Sequence, residues 1–160
     1  MDAQEFVVKP IGVVRVGEEG FRLELAPEYR CALEGLDGFG HVLVLWWCHL
    51  YDEYREVLEV PQPYTHGPEV MGIFATRAPV RPNPIAVTVA AVQEMDQAQG
   101  IIYLPYIDAE DGSPILDIKP YHPSNDRVRD IARPAWCAHW PAWFEDSASF
   151  DWGAEFVNAH

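Results

Sequence analysis

The sequence predicts a mainly β protein: one antiparallel β-barrel-like domain with short helices and a Trp-rich C-terminal cap, spanning residues 1–160 with a core at 6–123 and the cap at 124–160. Three observations lead there. Apolar residues recur in short runs at strand spacing, tight-turn signals separate the runs, and the middle of the chain has no room for the crossover helices of a parallel sheet. Partial or full closure would protect the edges of such a sheet.

The elements follow in order. Phe6–Val16 reads as a strand in which Pro10 marks an edge or bulge, and Phe21–Leu25 alternates like a half-buried strand. Pro27–Glu34 is a short helix candidate, with Pro at its start and Gly35 past its end. Leu36–Gly40 turns the chain into His41–His49, a continuous apolar run typical of a central strand. Tyr51–Gly67 is polar and Pro-containing, a long loop with room for a helical turn, and long loops are often functional. Val70–Ala75 and Ile85–Gln93 are strands. Gln97–Gly100 makes a hairpin turn into Gly100–Asp108, and Asp111–Gly112 another into Ile115–Lys119. From Ser124 onward, short helical pieces carry Trp136, Trp140, Trp143 and Trp152, the pattern of a cap or a dimer contact.

The totals set limits. A 160-residue chain that is 49% hydrophobic and 22% charged is an ordinary globular domain with one core. Its longest apolar run, Val42–Cys48, is far short of a membrane helix. Met1–Glu5 lacks the pattern of a secretory signal, and three cysteines (Cys31, Cys48, Cys137) form no disulfide framework, so a reducing cytoplasm is the expected location. With 11 Lys and Arg against 25 Asp and Glu, the net charge is −14, which argues against a surface built to grip a large RNA. A local basic cleft can still exist on an acidic body.

Two segments concentrate chemistry-bearing residues. In Gly72–Ile85 (GIFATRAPVRPNPI), Pro79, Pro82 and Pro84 stiffen a turn on which Arg77, Arg81 and Asn83 ride. Such a frame presents donors with little ordering entropy left to lose, which suits a ligand site. It equally suits a Pro-rich corner whose arginines pair with surface carboxylates. In Asp111–Tyr121 (DGSPILDIKPY), Asp117 and Lys119 fall on one side of a strand, with Leu116 and Ile118 on the other. They read as an exposed ion pair or, in a pocket, as groups that orient a ligand. Cys48–His49 and Cys137-x-His139 lack the spacing of a zinc site, so no metal is expected. The glycines at 35, 38 and 40 lead into a strand rather than a helix and read as a turn. Trp46 and Trp47 point to opposite faces, so one can fill the core and the other face a ligand or partner.

Both segments, in this order, resemble the signature of the TsaA-like family, whose best-known branch is the TrmO-type tRNA N6-adenosine methyltransferases. IGVVRV, LEGLDGFGHVLVLWWCH, GIFATRAPVRPNPIAVTV and DGSPILDIKPYHP carry the likeness over about two thirds of the chain. The resemblance implies a compact β-barrel-like domain, usually a homodimer, that binds S-adenosylmethionine and transfers its methyl group. It implies cofactor contacts from His49, Leu50, Arg77, Val87, Tyr106, Ile107 and Asp108, with Arg77 suited to the methionine carboxylate. Arg81, Asn83, Lys119 and Tyr121 would border the methyl acceptor, and Asp117 would act as the base. The relatives carry a Pro-Arg-Gln segment after the first strand, where this chain has Gly17-Glu18-Glu19-Gly20, and Ala86 stands where Gly is usual. The acceptor stays open between tRNA and a small molecule, and a non-catalytic S-adenosylmethionine sensor is the remaining alternative.

Overall fold

Nine strands and two single-turn α-helices make up the regular structure in a computed structural model that describes residues 6–158. The strands are β1 (Gly12–Gly17), β2 (Gly20–Leu25), β3 (His41–Trp47), β4 (Glu59–Pro61), β5 (Val70–Gly72), β6 (Ile85–Ala91), β7 (Glu94–Asp96), β8 (Ile101–Leu104) and β9 (Pro114–Pro120). The helices are α1 (Pro123–Asp126) and α2 (Trp152–Glu155), and five 3₁₀ turns connect the rest. The residues group into two compact units. The first is the chain up to Glu53 with Pro84–Arg127; the second is Tyr54–Asn83 with the chain from Val128 on. Reading the sequence alone puts one boundary between residues 123 and 124. By contact, the loop after β3 groups with the tail.

The first unit is one seven-stranded sheet in the order β6-β3-β9-β1-β2-β8-β7, antiparallel throughout. Its mainly antiparallel character is as the sequence predicts. The two end strands, β6 and β7, share no ladder, so the sheet is not closed into a barrel. Yet only Val92 and Gln93 separate them in sequence. In a flat sheet six inter-strand spacings of about 4.8 Å would hold them roughly 29 Å apart, whereas so short a link spans at most about 10 Å. The sheet must therefore curl until its ends meet at that corner.

The inside of the curl is the core: Val14, Leu23, Leu25, Val42, Val44, Trp46, Ala90, Ile102, Leu104, Ile107 and Ile115 are buried together. β3 alternates, with Val42, Val44 and Trp46 inward and Leu43, Leu45 and Trp47 half-covered on the outer face. Its continuous apolar sequence thus serves two faces of unequal burial. β9 meets β3 with a shift of register between Leu45 and Trp46 that leaves Leu116 as the extra residue of a bulge.

Several boundaries differ from the sequence reading. The first strand starts at Gly12, not Phe6, because Pro10 has no N–H for the ladder and the pairing begins after it with Ile11 N donating to Ile115 O at 2.8 Å. Phe6, Val7 and Val8 are exposed. The Met1–Glu5 reading and the last two residues of the cap lie outside the described residues. β7 has no alternating apolar pattern and was not predicted. The polar loop after β3 begins with a 3₁₀ turn, His49–Tyr54, and contributes β4. Gly17–Gly20 is a tight hairpin between β1 and β2, with Gly20 at φ +98°.

The second unit pairs β4 with β5 and packs aromatic rings around Tyr64. Trp136 stacks on Tyr64 at 5.3 Å, Trp140 meets it edge-on at 4.9 Å, and Phe156 lies 5.9 Å away and bridges its backbone. Among the described residues, no helix is long and apolar enough to cross a membrane.

Candidate functional site

In the second unit the Pro-rich segment leaves β5 through a 3₁₀ turn, Ile73–Ala75. Thr76 is buried there, and its hydroxyl donates to Ile73 O at 2.9 Å and accepts from Ala78 N at 3.2 Å. Arg81 turns back into the same loop. Its Nε donates to Ala78 O at 2.8 Å, and its Nη2 to Thr76 O at 2.7 Å and Ile73 O at 3.2 Å. Asn83 is engaged as well, accepting on Oδ1 from Arg55 Nη2 at 3.2 Å while Arg55 Nε donates to Pro82 O at 2.8 Å. Arg77 differs: it is exposed, and among the described residues no hydrogen bond or ion pair engages its guanidinium.

The backbone of Arg77 has its own partner. Burial pushes the Tyr64 phenol above its ordinary range, against a hydrogen bond from the Arg77 backbone and the positive charges of Arg77 and Arg81. Only a donated N–H favours the phenolate in this way, so the hydroxyl accepts from the Arg77 amide.

In the first unit, His49 opens the 3₁₀ turn after β3 and its Nδ1 lies 3.4 Å from the hydroxyl of the fully buried Ser113. Leu50 is 60% exposed beside it. Val87 is 45% exposed on the outer face of β6. The register sets Val87 and Asp117 on either side of Leu45, one row across three strands. Asp117 accepts from Lys119 Nζ at 2.5 Å and from Ile118 N at 2.9 Å. With the carboxylate 45% and the amine 58% exposed, this is the surface ion pair of the blander sequence reading. Asp117 also borders a cavity of about 330 Å³ lined by Tyr29, Leu33, Leu36 and Phe39. Tyr121 leaves β9 with its ring 6.3 Å from His41.

Tyr106 and Asp108 form a further pair. The Tyr106 ring meets Phe21 edge-on at 5.4 Å. Burial, the Asp108 charge and a hydrogen bond to the Asp108 side chain raise its phenol above the ordinary value. Ile107, between them, has its side chain in the core, so only its backbone can meet a ligand. Sequence reasoning missed Arg55, Tyr64 and Ser113. Arg55 and Tyr64 lie in a loop without a pattern, while Ser113 stands inside the DGSPI stretch. Among the described residues no three His, Cys, Asp or Glu side chains converge as a metal site would require.

Residues 8–127 match the family model of the tRNA-methyltransferase O N-terminal domain. A protein of Methanothermobacter thermautotrophicus, named a probable S-adenosyl-L-methionine-binding protein, is 35% identical over 142 residues, covering 80% of this chain and 98% of its own. The mouse tRNA (adenine(37)-N6)-methyltransferase is 36% identical over 106 residues, 66% of this chain and 23% of the mouse protein. The crystal structure of TrmO from Pseudomonas aeruginosa superposes with a TM-score of 0.65 at 31% identity, covering 84% of this chain and 62% of that one. The chain thus spans less than two thirds of the solved TrmO chain and nearly all of the archaeal relative.

Proposed function

Because the chain belongs to the tRNA-methyltransferase O N-terminal-domain family, we propose that it binds S-adenosylmethionine and catalyses transfer of its methyl group to an acceptor nitrogen or oxygen. The observation that carries this reading is Arg77: an exposed guanidinium without a hydrogen bond or ion pair among the described residues, on a loop where Thr76 and Arg81 bond the loop itself and Asn83 is held by Arg55. A bidentate donor fork on a rigid frame fits the carboxylate of the methionine moiety. The Tyr106–Asp108 pair offers an acceptor for ribose hydroxyls or the ammonium group. Leu50 and Val87 offer exposed apolar surface, His49 a ring held at Ser113, and Ile107 its backbone. Bound S-adenosylmethionine supplies an activated methyl group; the chain's task is orientation and exclusion of water.

Asp117 is the proposed base. Its carboxylate accepts from Lys119 Nζ and the Ile118 amide. A carboxylate suffices for an amine acceptor, whose N–H becomes acidic only as the new C–N bond forms. Lys119 on the same strand, Tyr121 just past its end, and Asn83 are proposed to border the acceptor.

The mouse relative's name favours a tRNA adenosine acceptor. The net charge of −14 favours a small-molecule acceptor. We propose a homodimer, following the sequence resemblance, and a cytoplasmic location, following the cysteine usage. Calorimetric titration of S-adenosylmethionine into the wild type and Arg77→Ala tests the cofactor: saturable binding weakened at least tenfold by the substitution is expected. No binding to folded wild type overturns the proposal. Transfer of labelled methyl to unmodified tRNA, with affinity falling steeply as salt rises, selects the RNA acceptor; transfer only to a low-molecular-weight fraction selects the other.

A further inference from the structure

Arg81 sits in the motif where the sequence resemblance gives it an acceptor-side role, yet its Nε and Nη2 point into the loop and bond three carbonyls, those of Ile73, Thr76 and Ala78. These carbonyls bracket Arg77 on both sides. We propose that Arg81 is a positioning residue for Arg77: by closing the loop on itself it fixes the backbone at position 77 and so the direction of that exposed guanidinium. The inference rests on the cofactor reading above and assigns Arg81 a part in that same site.

The chemistry of the two arginines supports the division. A carbonyl without a donor has to find water or another partner, and in a loop with three prolines the backbone supplies few N–H groups of its own. One planar guanidinium meets three oxygens at fixed angles, which an ammonium cannot copy with equal geometry. With Arg81 in place, Thr76 is buried and closes the turn through its hydroxyl, and the next residue is the one that emerges into solvent. From the other side Tyr64 takes the Arg77 amide, and Tyr64 is itself wedged among Trp136, Trp140 and Phe156. Three of these four rings come from the Trp-rich tail or its end, beyond the 8–127 stretch that matches the family model.

The experiment measures two ligands and one property of the free protein. S-adenosylmethionine and 5′-methylthioadenosine, which lacks the amino-acid carboxylate, are titrated into the wild type, Arg77→Ala, Arg81→Met, Arg81→Lys and the Arg77→Ala/Arg81→Met double variant. Amide hydrogen exchange across residues 73–81 is followed without ligand. The expected result is at least tenfold weaker S-adenosylmethionine binding for Arg81→Met, partial recovery for Arg81→Lys, little change for methylthioadenosine, and no further loss in the double variant beyond Arg77→Ala alone. Exchange at 73–81 rises in Arg81→Met while the thermal midpoint stays near that of the wild type. Tyr64→Phe, which keeps the ring, weakens S-adenosylmethionine a few-fold by the same pattern.

Equal weakening of both ligands, or losses that add in the double variant, overturns the positioning role. If Arg81→Met does not fold, the Arg81→Lys and Tyr64→Phe titrations decide it by the same two-ligand comparison. If the wild type binds neither ligand the cofactor reading falls, and unchanged exchange at 73–81 in Arg81→Met separately refutes the loop-closing role.

Discussion

His139 Nε2 lies 2.9 Å from one oxygen of the Glu155 carboxylate, and Trp140 Nε1 reaches the other at 3.0 Å. Glu155 is only 5% exposed. Burial alone would raise its pKa, but hydrogen bonds from His139 and Trp140, with the charges of His139 and His66, bring it below the ordinary value. A carboxyl depressed in the folded state contributes stability above its unfolded pKa and loses it as pH falls through the folded one.

Tryptophan fluorescence should report this directly, since Trp136, Trp140, Trp143 and Trp152 all lie in the tail. As pH drops below about 4.3, the wild-type thermal midpoint should fall. Glu155→Gln should be less stable at pH 7 and fall less steeply over the same acid range, where the depressed Glu24 carboxyl still titrates. Equal acid sensitivity in both proteins would dismiss Glu155 as the source.

Gly12 sits where the backbone of β2 approaches β1 too closely for a side chain. A Cβ placed there would lie 2.3 Å from Glu24 O, with Leu25 Cα at 2.9 Å. Gly12→Ala should therefore push β1 and β2 apart and cost about 2–3 kcal/mol of stability by overpacking. Gly17→Ala, where a Cβ meets nothing within 4 Å, should stay within about 0.5 kcal/mol. Urea unfolding of the two variants makes the comparison.

Trp46 Nε1 donates to Thr88 Oγ1 at 3.1 Å across β3 and β6. Thr88→Val keeps the shape and strands the indole N–H, at a cost of about 1–3 kcal/mol. In a cycle with Trp46→Phe the second substitution should cost less than it does alone. Strict additivity would mean that the two groups do not depend on each other.

Lys119→Ala should change stability by less than about 1 kcal/mol, because its pair with Asp117 is exposed. Any loss of methyl transfer in Lys119→Ala or Asp117→Asn then reports on chemistry or acceptor binding rather than folding. Asp117→Asn should keep S-adenosylmethionine affinity and lower turnover. Unchanged turnover would remove Asp117 from the mechanism.

Much of this architecture was legible where a local rule acts alone. Phe21–Leu25 alternates and pairs on both sides; Gly35 and Gly112 take positive φ where a turn was read. β3, β6 and β9 follow from apolar runs between turn signals. The site was legible in composition but not in orientation. Prolines at 79, 82 and 84 announce a stiff frame, but which arginine folds inward depends on the carbonyls left open by the turn at Ile73, and that turn is set by packing. Arg55, engaged at Pro82 and Asn83 from a distant loop, has no sequence neighbour to betray it. Ile107 is a cofactor contact by resemblance alone; no local pattern shows that its side chain lies in the core, which leaves the backbone for such a contact.

The last strand of the sheet to be synthesised, β9, lies in its interior between β3 and β1. On the ribosome, every strand that precedes it can assemble only into two separate ladders, β6–β3 and β1–β2–β8–β7, each with a row of open hydrogen-bonding groups on the flank that β9 will fill. While Pro114–Pro120 is still inside the exit tunnel, the chain outside has two waiting flanks, and those seven residues join them into one sheet as they emerge.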